Sequence, residues 1–305
     1  MTPDTSDLLY TINGQPASGP PPCAGVYRFF SDSGSLLYIG KSIDMKSRLR
    51  SHFTDARKPG RQQRMIGQVA HIDCRPTAGE FGALLTENAA IKAETPLFNR
   101  RQRRARRLWT IALASGRDGF LQPTAQDFAP DGDRRQESFG LYHNRHHIES
   151  TLRKHARDRG LCLRVLGIDR GRGACFQYQL KRCNGACAGD ESATSHNRRL
   201  LEVLSDERIL AWPFAAAIAL VERASEPLDG QPSTQWQLIN HWSYGGSYTD
   251  QHQVALAARS PENNLFDRDA YRIMLNAMRA DGVEIRDAHS GALLSSPFRD
   301  NRQAS

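Results

Sequence analysis

Two short β-prone runs, Val26-Tyr27-Arg28-Phe29-Phe30 and Leu36-Leu37-Tyr38-Ile39, flank the polar loop Ser31-Asp32-Ser33-Gly34-Ser35. This pattern constrains the chain to an antiparallel hairpin, with Tyr27 and Tyr38 on neighbouring strands. Gly40 ends the second strand. From Ile43 to Phe53 the spacing turns helical, and Met45, Arg48 and His52 fall on one face at steps of three and four. A helix near 61–69 and a strand near Ile72 to Arg75 follow. A long helix then runs from Ala78 to Glu94, with Phe81, Leu84, Leu85, Asn88 and Ile91 as its apolar stripe and Glu87 at the stripe's edge. Pro96 disfavours helical geometry at the residue before it, so the helix stops there and Asn99 stands just outside. Ahead of the hairpin, the prolines of Ser18-Gly19-Pro20-Pro21-Pro22 remove backbone donors. Regular structure is therefore expected only after Pro22, leaving 1–22 as a flexible arm.

Further along, Leu108 to Ala114 has the composition of a strand and 116–137 that of a surface loop, and 145–159 reads as a basic helix closed by Gly160. The last third carries apolar strands near Phe214 to Val221 and Gln235 to Trp242, a loop at Gly245-Gly246-Ser247, and an amphipathic helix from Asp267 to Met278. Residues after Ser295 read as a disordered tail. The fold class is α+β, and 305 residues suffice for several domains. We expect the arm at 1–22, a first domain at 23–100, a basic linker with a cysteine-rich region at 101–195, and a small α+β module at 196–305.

The formal net charge is +8, and much of it is clustered: Arg100, Arg101, Arg103, Arg104, Arg106 and Arg107 follow directly on the first domain. A cluster this dense is suited to gripping phosphates, which positions a nucleic acid without reading its sequence. No apolar run approaches the roughly 18 to 20 residues needed to cross a bilayer, and the first residues lack the layout of an export signal, so a cytoplasmic protein is expected. Four of six cysteines, Cys162, Cys175, Cys183 and Cys187, lie close together, which points to metal before disulfides in such a compartment. Their spacing is not the paired C-x-x-C of zinc ribbons. Cys23 and Cys74 stand apart as unpaired thiols, and His143, His146 and His147 read as surface histidines.

The run Gly25-Val26-Tyr27 followed by Tyr38-Ile39-Gly40-Lys41 closely resembles the two-part signature of the GIY-YIG nucleases, and Arg48, Glu87 and Asn99 follow in that family's order. The resemblance implies a small mixed sheet flanked by helices and a divalent-metal-dependent endodeoxyribonuclease. Glu87 is then the ligand of one Mg²⁺ or Mn²⁺ ion, since a lone carboxylate suits a cation that keeps most of its waters. Arg48 offers a planar fork for the scissile phosphate. One of Tyr27 and Tyr38 would activate water and the other orient it, and the sequence does not assign the two. A tyrosine near its reference pKa of about 10 needs a neighbouring cation to act as a base, and Lys41 is one source. His52 stands where the excision branch of the family commonly has a tyrosine, leaving a proton-relay role open. Asn99 matches the family's closing asparagine, which holds neighbouring groups in place.

The cysteine segment is similar to the one that follows the nuclease domain in the UvrC-like branch. That implies four thiolate ligands, to a 4Fe-4S cluster or alternatively to zinc. The length and the Trp212-Pro213-Phe214 to Trp242 module resemble the short Cho group of that branch, with no room for a UvrB-binding hairpin, a second nuclease domain or paired helix-hairpin-helix modules. The resemblance implies a monomer that incises damaged double-stranded DNA on the 3′ side of a bulky lesion after UvrA and UvrB have marked it. A self-sufficient nuclease remains an alternative, although no separate recognition domain is visible. A non-catalytic DNA-binding or cluster-based sensor is a third reading.

Overall fold

The computed structural model describes residues 8–99, 108–116, 118–128, 137–171, 173–259 and 266–299. The chain forms two compact units, Met1–Ala105 with Trp212–Ser305, and Arg106–Ala211. The arginine run at 100–107 lies outside the described residues. No helix among the described residues is long and apolar enough to cross a membrane.

The first unit is built on two sheets. One takes the order β2-β1-β5-β3-β4, from β1 (Leu9–Ile12), β2 (Gln15–Ala17), β3 (Gly25–Phe30), β4 (Leu36–Ser42) and β5 (His71–Pro76). β3 and β4 form the expected hairpin, with Tyr27 opposite Gly40 and Phe29 opposite Tyr38. β1 joins the sheet parallel to β5, pairing Leu9 with His71. Regular structure therefore begins well before Pro22, contrary to the expected arm. The reason is Asn13-Gly14, both at positive φ (52° and 79°), which close a tight turn between β1 and β2. Asn-Gly is a strong short-range hairpin signal that the proline run overshadowed.

Strand alternation divides β3 between two cores. Tyr27 and Phe29 pack with Leu37, Met45, Leu49 and Ile66 beneath α1 (Met45–Asp55) and α2 (Arg61–Ile66), where the Asp44 side chain caps α1 by accepting from Ser47 N. Val26 and Ile39 face Ala83, Ala90 and Ile91 of α3 (Glu80–Glu94). The helix ends at Thr95, left-handed at φ 46°, and Pro96 follows.

The second sheet takes the order β11-β10-β9-β12-β13, from β9 (Ile218–Arg223), β10 (Thr234–Asn240), β11 (Ser243–Tyr248), β12 (Glu284–Asp287) and β13 (Leu293–Leu294). The helices α7 (Gln251–Arg259) and α8 (Arg268–Arg279) accompany it. Three expectations change here. The first strand starts at Ile218 rather than Phe214. Gly245-Gly246-Ser247 lies inside β11, because the chain passes so close to Leu238 that a Cβ on Gly245 would meet that side chain at 2.9 Å. From Ser296 to Arg299 the chain is anchored, the rest of the expected tail lying outside the described residues: buried Ser296 donates to the Met278 carbonyl at 2.6 Å, and the Phe298 ring lies 5.9 Å from Trp242. α3 packs on β3 and β4 with one side and on α8 and β11 with another.

In the second unit β6 (Trp109–Ser115) lies between β7 (Leu121–Asp127) and β8 (Ser138–Tyr142), with α4 (Arg145–Arg159), the short α5 (Phe176–Gln179) and α6 (Ala193–Ser205). The stretch expected as a loop over 116–137 thus contains β7. It is an edge strand with weak alternation, in which Leu121, Pro123 and Ala125 are half-buried between exposed Gln122, Thr124 and Gln126.

Candidate active site

The GIY-YIG glycines are explained by what surrounds them. A Cβ on Gly40 would lie 2.4 Å from Tyr27 Oη and 2.8 Å from the Tyr38 ring, and one on Gly25 would meet the Arg75 carbonyl oxygen at 2.5 Å. Bare backbone at Gly40 lets the two tyrosines approach, with ring centroids 6.2 Å apart. α1 brings His52 over both rings, 5.6 Å from each, and its Nε2 stands 2.7 Å from Tyr27 Oη.

Tyr27 is fully buried, and Arg48, exposed one turn before His52, places its charge beside the phenol. Burial pushes the Tyr27 phenol above its ordinary pKa, with Tyr38 and Glu87 adding to the rise and Arg48 opposing it. Tyr38 is raised in the same way, by burial first and then by Glu87, against Arg48 and Arg61. Burial and the Arg48 charge press His52 down to about 4, so its ring is neutral at pH 7. The Gln62 side-chain nitrogen of α2 faces His52 Nδ1. With Nδ1 accepting from that amide, the ring proton sits on Nε2 and is donated to Tyr27 Oη.

Glu87 approaches from the other side of the sheet edge. Its Oε1 accepts the Lys41 N–H at 3.1 Å, and burial raises its carboxyl pKa against the pull of Lys41 and Arg48. This half-buried carboxylate keeps lone pairs beyond the one spent on Lys41 and forms no ion pair among the described residues, a donor set that fits a hydrated divalent ion. Lys41 does not act as the cation beside Tyr38. Residues three apart on a strand point to opposite faces, and the Lys41 ammonium pairs with Glu80 at the start of α3. Arg48 and Arg61 are the cations that favour the Tyr38 phenolate. Buried Asn99 closes the site: its side chain accepts from Ile39 N at 3.0 Å and donates to Ile39 O at 2.9 Å, pairing the outer edge of β4 as another strand would.

Sequence reading did not single out Gln62 or Glu80. Both act through contacts between elements distant in sequence, which helical spacing does not reveal. Among the described residues, Cys162, Cys175 and Cys187 are the potential metal-binding group, and Cys183 adjoins them. The Cys162 and Cys175 sulfurs are 3.8 Å apart, those of Cys175 and Cys183 3.7 Å, and Cys187 Sγ accepts from Cys175 N at 3.2 Å. Four soft thiols in one place fit an iron–sulfur cluster or zinc. The distances match contacting sulfurs and equally the edges of a tetrahedron around one ion with bonds of about 2.3 Å, whereas a four-iron cluster would need the thiols to spread. His146 and His147 are exposed on the first turn of α4, as expected of surface histidines.

Three family models match the chain: a UvrC-like GIY-YIG domain over residues 23–100, the UvrC/Cho excinuclease middle domain over 111–206, and the excinuclease Cho C-terminal domain over 217–292. Excinuclease Cho of Salmonella typhi is 37% identical over 274 residues, 88% of this chain and 88% of that protein. The chain belongs to the UvrC/Cho excinuclease family. Within it, excinuclease Cho of Escherichia coli (strain K12) is 37% identical over 86% of this chain and 85% of its own length. UvrABC system protein C of Dechloromonas aromatica (strain RCB) is 33% identical over 64% of this chain but only 31% of that protein. The solved N-terminal endonuclease domain of UvrC from Thermotoga maritima, bound to magnesium as its catalytic divalent cation, is 28% identical over 26% of this chain and 86% of that one, at a TM-score of 0.23. Tyr27, Tyr38, Lys41, Arg48, His52, Glu87 and Asn99 all lie within the GIY-YIG endonuclease domain of this excinuclease-family chain.

Proposed function

We propose that this excinuclease-family chain hydrolyses one phosphodiester on the 3′ side of a bulky lesion in duplex DNA that UvrA and UvrB have marked. The observation that carries the catalytic part is the convergence of Arg48 and neutral His52 on the buried Tyr27, with Tyr38 and Glu87 in the same electrostatic neighbourhood. Arg48 has an exposed guanidinium and grips non-bridging phosphate oxygens as it steadies Tyr27. Glu87 would hold Mg²⁺ or Mn²⁺, and the bound ion would supply Lewis-acid neutralisation of the phosphate and leaving oxygen. The Arg48 charge favours the Tyr27 phenolate and His52 Nε2 stands 2.7 Å from its oxygen, which supports Tyr27 as the group that takes the water's proton. Tyr38 then orients the water or phosphate. Lys41 and Asn99 hold β4 and Glu87 in register.

We read the arginines at 100–107 as phosphate grips and the division into a nuclease domain at 23–100, a cysteine region within 101–195 and a C-terminal module at 196–305 as functional. The family resemblance supports an iron–sulfur cluster at the cysteines, and the 3.7 and 3.8 Å sulfur separations favour zinc as the second reading. Glu87→Gln, Arg48→Ala and Tyr38→Phe are each expected to abolish cutting of a lesion-bearing duplex while retaining DNA affinity in gel-shift titrations. Loss of binding in all three would overturn the role assignment.

A further inference from the structure

α3 begins without a cap of its own. Its N-cap is Gly79, whose lack of a side chain leaves the first-turn N–H groups unpaired locally. The carboxylate of Glu222, on β9 of the C-terminal module, fills that place from more than a hundred residues away in sequence. Its Oε1 accepts from Phe81 N at 3.0 Å and its Oε2 from Gly82 N at 2.9 Å. Both glycines at the helix start make room for it: a Cβ on Gly79 would lie 2.3 Å from Glu222 Oε1, and one on Gly82 3.3 Å from Oε2 and 2.8 Å from Gln237 Nε2. Gln235 of β10 adds an acceptor for Ala78 N at 3.0 Å, and Gln231 donates to the Thr77 carbonyl at 2.9 Å. Further along the helix, Tyr244 of β11, which donates to Gln237 at 2.9 Å, neighbours Thr86, adjacent to Glu87. Asp267, the cap of α8, receives Asn88 and pairs with Lys92.

The module thus grips α3 at its start, its middle and its last turns, with polar groups aimed at particular backbone atoms and side chains. An interface that only buried apolar area would not need a carboxylate seated over two glycines. The helix held in this way is the one whose Glu87 reaches across to β4, and rotation by one residue would swing that carboxylate through about 100°. We infer that the C-terminal module is a working part of the nuclease, with Glu222 as a positioning residue that caps α3 and sets the placement of Glu87 for its cation. This rests on Glu87 being the divalent-ion ligand.

The test uses the full chain without DNA and reads Mn²⁺ affinity by electron paramagnetic resonance, with melting temperature in parallel, for wild type, Glu222→Gln, Glu87→Gln and Val254→Ala. Val254 is fully buried in the module's own core on α7, so its variant loosens the module without touching the grip on α3. A carboxamide turns an N–H₂ toward the helix donors, and Glu222→Gln is expected to weaken Mn²⁺ binding roughly tenfold, the lower end of what loss of an outer-shell partner costs. Val254→Ala should lower the melting temperature and leave Mn²⁺ affinity at the wild-type value. Equal affinities in wild type and Glu222→Gln, or equal weakening in Glu222→Gln and Val254→Ala, overturn the inference. Wild-type affinity in Glu87→Gln instead overturns the reading of Glu87 beneath it. If Glu222→Gln does not fold, Gln235→Ala, which frees only Ala78 N, serves the same comparison with a smaller expected shift in the same direction.

Discussion

His52 is buried, neutral and held between Tyr27 and Gln62. The unfolded chain binds a proton there near pH 6.5, while burial and Arg48 hold the folded value down to about 4. Between those values the unfolded state carries more protons, so stability rises with pH through the window and is fully present above about 6.5. On acidification roughly 3 kcal/mol is lost by about pH 4. In urea unfolding from pH 4 to 7, His52→Gln should show a flatter stability profile than wild type; superimposable slopes would contradict the burial account. Gly40 shows the same scale from the other side. Its identity is dictated by the Tyr27 hydroxyl 2.4 Å from where a Cβ would sit.

At the scale of elements, β4 is an edge strand whose outer groups at Ile39 are satisfied by one side chain, Asn99. Asn99→Ala orphans a buried N–H and a buried C=O, and should cost about 2 to 4 kcal/mol in chemical denaturation. A change within 0.5 kcal/mol, the usual range for an inconsequential surface substitution, would show that the edge is held otherwise. The β3–β4 hairpin and the helices over Arg48, His52 and Glu87 were legible because local apolar periodicity and turn residues specify them. Two things escaped for physical reasons. α3 is gripped on more than one side, so its pattern does not show which neighbour takes which face, and its cap arrives from Glu222 in a distant strand. β11 looked like a loop because two glycines outweighed its alternation, although Gly245 serves close passage by Leu238 and Gly246 a positive φ of 116°. Site membership was readable as an ordered set, but the pairing of Lys41 with Glu80 and of His52 with Gln62 needed the third dimension.

At the scale of the whole molecule, the first unit joins the nuclease signature to the C-terminal module, and the second carries the cysteine group. Cys183→Ser should remove bound metal, read by elemental analysis and, for iron, by loss of visible absorbance, with lower solubility. Unchanged metal content and stability would contradict a metal centre there. Catalysis and its dependence on UvrB are read together by incision of an end-labelled duplex bearing one bulky adduct, with Mg²⁺, comparing wild type and Glu87→Gln with and without UvrA and UvrB. A single cut on the 3′ side of the adduct that requires both Glu87 and UvrB is expected. Cutting by wild type without UvrB, or by Glu87→Gln under any of these conditions, would contradict it.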